Sequence, residues 1–402
     1  MKPFNFIQIL LIIISHNTWS QSRSNITSLS STNKNILDAY LDQSNGMSIR
    51  LLIDKGVQVV PKTGPYSELE LTLYTQSILF ENGYEYKFSE GEMLNDFRDN
   101  IIITIQKHTD DSKATLRRYK ITNNTVVKIA ERLLDFAETT AQILENGNCL
   151  LSDESENAGN ELVLLGKDLK VITKLVTNKE EFLTCQIACN QDKIFIVLKE
   201  TYSSSLSFLM FDALLGMPIS SKEINSIREY PQKLICSNEN IILYASGLLV
   251  GLNQNGDLLW QRKAILPTGE IYTLSNNCIL AQTNNQLELI SSGTGKTVWI
   301  KAINELFDAN NANNIDIPTK SSDIYLTSAV AVGENSIALL LSQNNKRYLE
   351  PNYNAQLIFI DSEGRGYFKD SVGNLNYILK MFAKNNKVTI INDKTQIDYD
   401  NK

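Results

Sequence analysis

The chain has 402 residues, 43% of them hydrophobic and 21% charged, which is ordinary globular material with room for one large or two medium domains. Acidic side chains outnumber basic ones by 45 to 38, giving a formal net charge of −7. No general field therefore draws the protein toward nucleic acid or an anionic membrane, and a nucleic-acid partner is not expected.

The N-terminus reads MKPFNFIQILLIIISHNTWSQS, with Lys2 at its start, an apolar run from Phe6 to Ile14, and the small residues Thr18 and Ser20 flanking Trp19. This is the pattern of a secretory signal peptide at 1–20, cut near Ser20–Gln21. The apolar run is about half the roughly 20 residues that a bilayer span needs, and no cysteine lies near the cut to carry a lipid. An exported protein, periplasmic or extracellular, without a transmembrane segment is expected. Residues 21–49, polar and Ser/Asn-rich in QSRSNITSLSSTNKN, are expected to lead into a single folded domain at 50–402.

Strand-like runs then follow to the C-terminus: SIRLLI, ELTLYT, IIITIQ, ELVLLG, KIFIVL, SFLMFD, NIILYA, SIALLL, QLIFID and KVTII. They are short, rich in β-branched, leucine and aromatic residues, and separated by Asn, Asp, Gly, Ser and Lys clusters. Helical spacing occurs only in NKNILDAYLDQ and VKIAERLLDFAETTAQIL, and the second also reads as a strand followed by a loop. An all-β protein follows.

Turn signals at Asn124, Asp168, Gly216, Gly256, Gly295 and Gly364 are about 44, 48, 40, 39 and 69 residues apart, the scale of a four-stranded propeller blade. The long last gap contains the Asn/Asp-rich insertion INELFDANNANNIDIPTKSSD. ENIILYASGLLVGLNQNGDLLWQRKAI aligns with NNCILAQTNNQLELISSGTGKTVWIKAI, and Trp260 and Trp299 each follow the turn glycine, Gly256 or Gly295, by four residues. These four residues are expected to pack adjacent blades together, each indole N–H finding a carbonyl. Innermost strands are expected to be buried on both faces. From residue 50 onward the chain accommodates about seven blades, with six or eight also compatible. The C-terminal KVTIINDKTQIDYD is expected to pair with strands around 50–80 and close the ring.

Residues 238–264 and 276–303 resemble the PQQ-like, or quinoprotein-like, β-propeller repeat: a Leu/Val-rich strand, an Asp-rich turn closing in Gly-Lys, then Trp. The resemblance implies a propeller fold. Its quinone-dependent members hold pyrroloquinoline quinone and calcium beside a vicinal cysteine pair, and this chain has no Cys-Cys dipeptide, so no cofactor is expected.

Other chemistry finds little footing. Of five cysteines, Cys149, Cys185, Cys189, Cys236 and Cys278, only Cys185 and Cys189 are near enough in sequence for a local disulfide or half of a metal site. The remaining zinc ligands are missing, because beyond the signal segment the one histidine is His108. In SSGTGKT the spacing of Gly293 and Gly295 is wrong for a phosphate loop, and a strand rather than a helix follows. His108 beside Asp110 and Asp111 reads as a polar hairpin, with no G-x-S-x-G elbow to supply a serine. The acidic turns at 110–112, 152–157 and 360–364 lack the EF-hand spacing and read as solvated loops. The 16 tyrosines and 14 phenylalanines are mostly explained by strand alternation.

A non-catalytic scaffold is therefore expected, a monomer that binds another protein through loops on one face or through the central funnel. Its nearest functional analogue is the outer-membrane protein assembly factor of the BamB type, a periplasmic propeller. The alternative is a carbohydrate-active or carbohydrate-binding propeller, and an enzyme is the less favoured reading.

Overall fold

The computed structural model describes residues 22–400 apart from short stretches between strands, the longest at 154–160, 307–323 and 344–352. Its strands form eight four-stranded antiparallel sheets. Seven are continuous in sequence, and we number them as blades 1 to 7 at 35–87, 92–134, 139–176, 182–224, 231–263, 271–302 and 324–375. Blade 8 takes its inner three strands from 378–400 and its outer strand from Ser22–Ser28. The protein is an all-β propeller with eight blades, one above the count of about seven and within the range allowed.

Within each blade the strands are laid down in order from the inside outward. The first and third strands therefore run one way, and their turns to the second and fourth strands emerge on one face of the disc, called the turn face below. First strands touch between blades 2 and 3, from blade 4 through to blade 8, and between blades 8 and 1, which closes the ring.

The apolar core is distributed over the seams. Seven clusters of buried side chains lie between blades 1 and 2, 2 and 3, and so on to 7 and 8. This places the continuous burial in the second and third strands. Asn240–Ala245 is buried at five successive residues and Leu248–Asn253 at four, while the first strand Pro231–Ser237 is only intermittently buried. The expectation for innermost strands is corrected accordingly: the middle of the blade is flanked by a neighbour on both faces, whereas the first strand borders the axis. Fourth strands such as Leu258–Lys263 are largely exposed.

Six of the eight first strands carry a bulge near their start, as between Leu94 and Asp96 or Leu326 and Ser328. The extra residue turns side chains toward the neighbouring blade. In blade 2 they satisfy the free edge of blade 3, where Asn95 Oδ1 accepts from Ala141 N at 2.7 Å and Asp96 Oδ2 from Ile143 N at 2.6 Å.

Ring closure differs from expectation. Thr395–Asp400 pairs with Ser22–Ser28, not with residues 50–80. The latter belong to Ser48–Pro61 and Glu68–Phe80, the two middle strands of blade 1, which pair with each other and lie between Asn35–Leu41 and Glu85–Lys87. Ser22–Ser28 and Asn35–Leu41 are strands inside the segment expected to be a lead.

Candidate binding face

The turns between third and fourth strands repeat a hydrogen-bonded pattern in blades 3 to 7. In blade 5, Asn253 N donates to Asp257 O and Gly256 N to Asn253 O; in blade 6, Ser291 N donates to Lys296 O and Gly295 N to Ser291 O. Gly256 and Gly295 have φ of +77° and +66°, the left-handed region in which a side chain is strained. Each also lies flat on the preceding blade: an added Cβ would land in the Phe208 ring at Gly256 and in the Trp260 indole at Gly295. Trp260 Nε1 donates to Ser292 O of blade 6 at 2.7 Å. Trp299 packs in the same way under Gly364 of blade 7, but its buried Nε1 has no hydrogen-bond partner among the described residues.

Ion pairs add to these seams. Arg98 and Glu145 join blades 2 and 3 at 2.8 Å, Lys222 and Asp257 join blades 4 and 5, and Arg262 reaches the buried Glu288 of blade 6 at 2.7 Å. Lys222 holds the Asp257 carboxyl below the usual carboxylate range.

One turn differs in composition from its equivalents. The exposed tips of blades 3, 5, 6 and 7 are Lys167 and Asp168, Asn255, Thr294, and Ser362 with Glu363. Blade 4 presents Leu214, Leu215 and Met217, which are 57%, 53% and 57% exposed. The turn is stiffly held: Asp212 Oδ1 accepts from Leu214 N and Leu215 N, at 2.9 and 2.7 Å. From blade 3, Asn146 Nδ2 donates to Ala213 O at 2.8 Å, and Asn148 Nδ2 donates to Ala213 O and Leu214 O at 3.1 Å. Gly216 rests on Thr173 of the fourth strand of blade 3.

Three cations contact the neighbouring turns of blade 3, Arg118 and Arg132 from blade 2 and Lys167 from blade 3 itself. Arg118 is buried, and its guanidinium donates to Gly147 O at 2.7 Å while Nε has no partner. Lys167 packs over the same Gly147, and Arg132 donates to Leu169 O at 3.2 Å. Among the described residues none of the three has a carboxylate partner within ion-pair distance. Burial lowers the pKa of Arg118.

A buried carboxylate elsewhere is fully engaged. Glu92, in blade 2, accepts from Thr104 Oγ1 at 2.5 Å and Tyr119 OH at 2.7 Å and pairs with Arg117 at 3.1 Å. It has no exposed surface.

Cys185 and Cys189 lie on one strand, Phe182–Cys189, and Cys189 is a free thiol. Four residues of strand span about 13 Å, about twice the reach of a disulfide, so the expected local disulfide is corrected: the strand holds the two positions apart and Cys189 is not paired with its neighbour. His108 closes a hairpin, its N donating to Lys113 O and its Nε2 2.7 Å from Thr115 Oγ1; Asp110 and Asp111 fall outside the described residues, as do 154–157 of the acidic turn at 152–157. Asp361, in the turn at 360–364, accepts from the backbone N–H of Glu363 and Arg365 and from the Arg365 side chain. SSGTGKT forms the strand-to-strand turn of blade 6. Sequence reasoning missed Leu214, Leu215 and Met217, although the run FDALLGM, set against NQNGD and SSGTGK at the same repeat position, carries the signal.

No protein-family profile matches the chain. Two curated relatives, the DNA mismatch repair proteins MutS of Prochlorococcus marinus strains MIT 9301 and AS9601, are each 22% identical over 313 residues. These alignments cover 69% of this chain, and the chain spans only 31% of the length of those relatives, which shows no family. Among solved structures, BamB from Moraxella catarrhalis is 11% identical with a TM-score of 0.53, over 95% of this chain and 98% of that one. Sqt1 from Chaetomium thermophilum is 7% identical with a TM-score of 0.55, and Sqt1 from Saccharomyces cerevisiae 10% identical with 0.53, both over 94% of this chain and 98% of theirs. The likeness shows the fold, a β-propeller of BamB-like architecture, in line with the PQQ-like repeat. Among the described residues no helix is long and apolar enough to cross a membrane.

Proposed function

We propose that the chain is an exported, non-catalytic scaffold that binds another protein through the turn face, with envelope or outer-membrane assembly as its setting. The observation that supports this reading is the aliphatic turn of blade 4. Its equivalents in four other blades are polar, so the fold does not require Leu214, Leu215 and Met217 to be apolar, and an exposed apolar patch rimmed by polar residues marks an interaction site. The pattern of the first twenty residues supports export, and the BamB-like architecture suggests the setting by analogy alone. A carbohydrate site has less support, because the exposed Tyr84, Tyr230 and Tyr367 lie in blade 1, in the link between blades 4 and 5, and in blade 7.

The test is to immobilise the chain from Gln21 and pass solubilised envelope extract over it. Near-stoichiometric retention of one envelope protein supports the scaffold, and retention of glycan alone or of nothing overturns it. N-terminal sequencing of the protein recovered from cells is expected to begin at Gln21; a chain that still begins at Met1 removes the export claim.

A further inference from the structure

Resting on the scaffold reading, we infer that the corner between blades 3 and 4 is where the partner docks, and that the partner presents an apolar pocket bordered by carboxylates. The aliphatic part of the corner is a protrusion rather than a groove. Leu214 and Leu215 stand at the tip of a turn whose N–H groups are tied to Asp212 and whose carbonyls are held by Asn146 and Asn148. Met217, on the same turn, extends the exposed aliphatic surface. A rigid aliphatic knob loses little conformational freedom on docking, and it contributes most when a concave pocket encloses it.

Charge selects the border of that pocket. On the blade 3 side of the corner the carboxylates are paired, Asp168 with Lys170, Glu161 with Lys174 and Glu145 with Arg98, whereas on the blade 4 side Asp212 is tied to its own turn and the exposed Asp192 accepts from Ala213 N through its carbonyl. Arg118, Arg132 and Lys167 have no such partner among the described residues, and all three converge on the two turns of blade 3 that flank the knob. The blade 3 side of the corner is therefore locally basic on a chain whose formal net charge is −7. A partner bringing carboxylates to this side is attracted, and one bringing cations is repelled.

The repeat supplies its own controls. The envelope protein retained by the wild-type chain is titrated against the wild type, Leu215→Asp, Lys167→Glu and Thr294→Asp, the last at the equivalent tip of blade 6. Leu215→Asp is expected to weaken binding by about 30-fold or more, the effect of losing an interface anchor. Lys167→Glu is expected to weaken it several-fold and to flatten its dependence on salt, while Thr294→Asp leaves it unchanged. All three sites are exposed, and unchanged far-ultraviolet circular dichroism and melting temperature separate loss of docking from loss of fold.

Retention that survives Leu215→Asp, or falls equally with Thr294→Asp, overturns the corner while leaving the scaffold reading standing. An empty wild-type column overturns both. Flotation with phosphatidylglycerol vesicles that requires Leu215, or a dimer in sedimentation that Leu215→Asp dissociates, would assign the knob to a lipid surface or to a second copy and overturn the carboxylate-bordered partner.

Discussion

Single residues govern how the blades lock. Gly295 combines a left-handed backbone with the Trp260 indole lying where its side chain would be. Gly295→Ala is expected to cost about 2–4 kcal/mol, strain and overpacking together, read as a lower urea midpoint. Gly293→Ala is the control, because its nearest neighbour, Asn240 Nδ2, is 3.6 Å away and its φ is not positive; it should be neutral. The thiols make a second case. Burial pushes Cys149, Cys189 and Cys236 up to about 12, above the ordinary thiol value of roughly 8.5. The folded state thus holds these protons more tightly than the unfolded chain. The resulting stabilisation is fully present below the unfolded value and is lost as pH rises from about 8.5 through about 12. Alkylation by iodoacetamide at pH 8 should be at least about tenfold slower in the native protein than in urea at these three positions; equal rates would remove the claim. The sequence marked Gly295, Trp260 and the thiols as notable but not their neighbours, because what an indole rests on is a property of the adjoining blade.

At the scale of elements, the turn of blade 4 is a product of two blades. Asn148 is buried, and its amide satisfies two carbonyls of that turn. Asn148→Ala removes the donor to Leu214 O and one of the two donors to Ala213 O; it is expected to cost about 1 kcal/mol, the net worth of a lost hydrogen bond, and to speed amide exchange at Leu214 and Leu215 ahead of global unfolding. Unchanged exchange would mean that Asp212 and Asn146 suffice to hold the turn. The bulges explain the one segment whose type the pattern misjudges. NKNILDAYLDQ shows helical spacing at Ile36, Leu37 and Tyr40, yet Asn35–Leu41 is a strand with a register shift between Ile36 and Asp38. One inserted residue breaks the period of two and imitates a turn of helix. VKIAERLLDFAETTAQIL, ambiguous for the same reason, contains the end of one strand, a connection, and the strand Thr139–Ile143.

For the whole molecule, closure depends on Ser22–Ser28. Deleting these seven residues leaves Thr395–Asp400 as a bare outer edge, so the variant should melt at a lower temperature and form concentration-dependent oligomers on size exclusion, as exposed strand edges do. A deletion variant that stays monomeric with the wild-type melting temperature would show that the other seams carry the ring. The sequence by itself determined that the chain is all-β, that it repeats at blade length, and that glycine turns precede tryptophan at Gly256 and Gly295, since strand alternation and turn chemistry are read within a few residues. Only the tertiary structure decided the eighth blade, the partner of the C-terminal strand, the separation of Cys185 from Cys189, and the meeting of Asn148 with the turn at Leu214. Each of these depends on which segments lie side by side after the ring closes, and residues far apart in the chain carry no local pattern that encodes it.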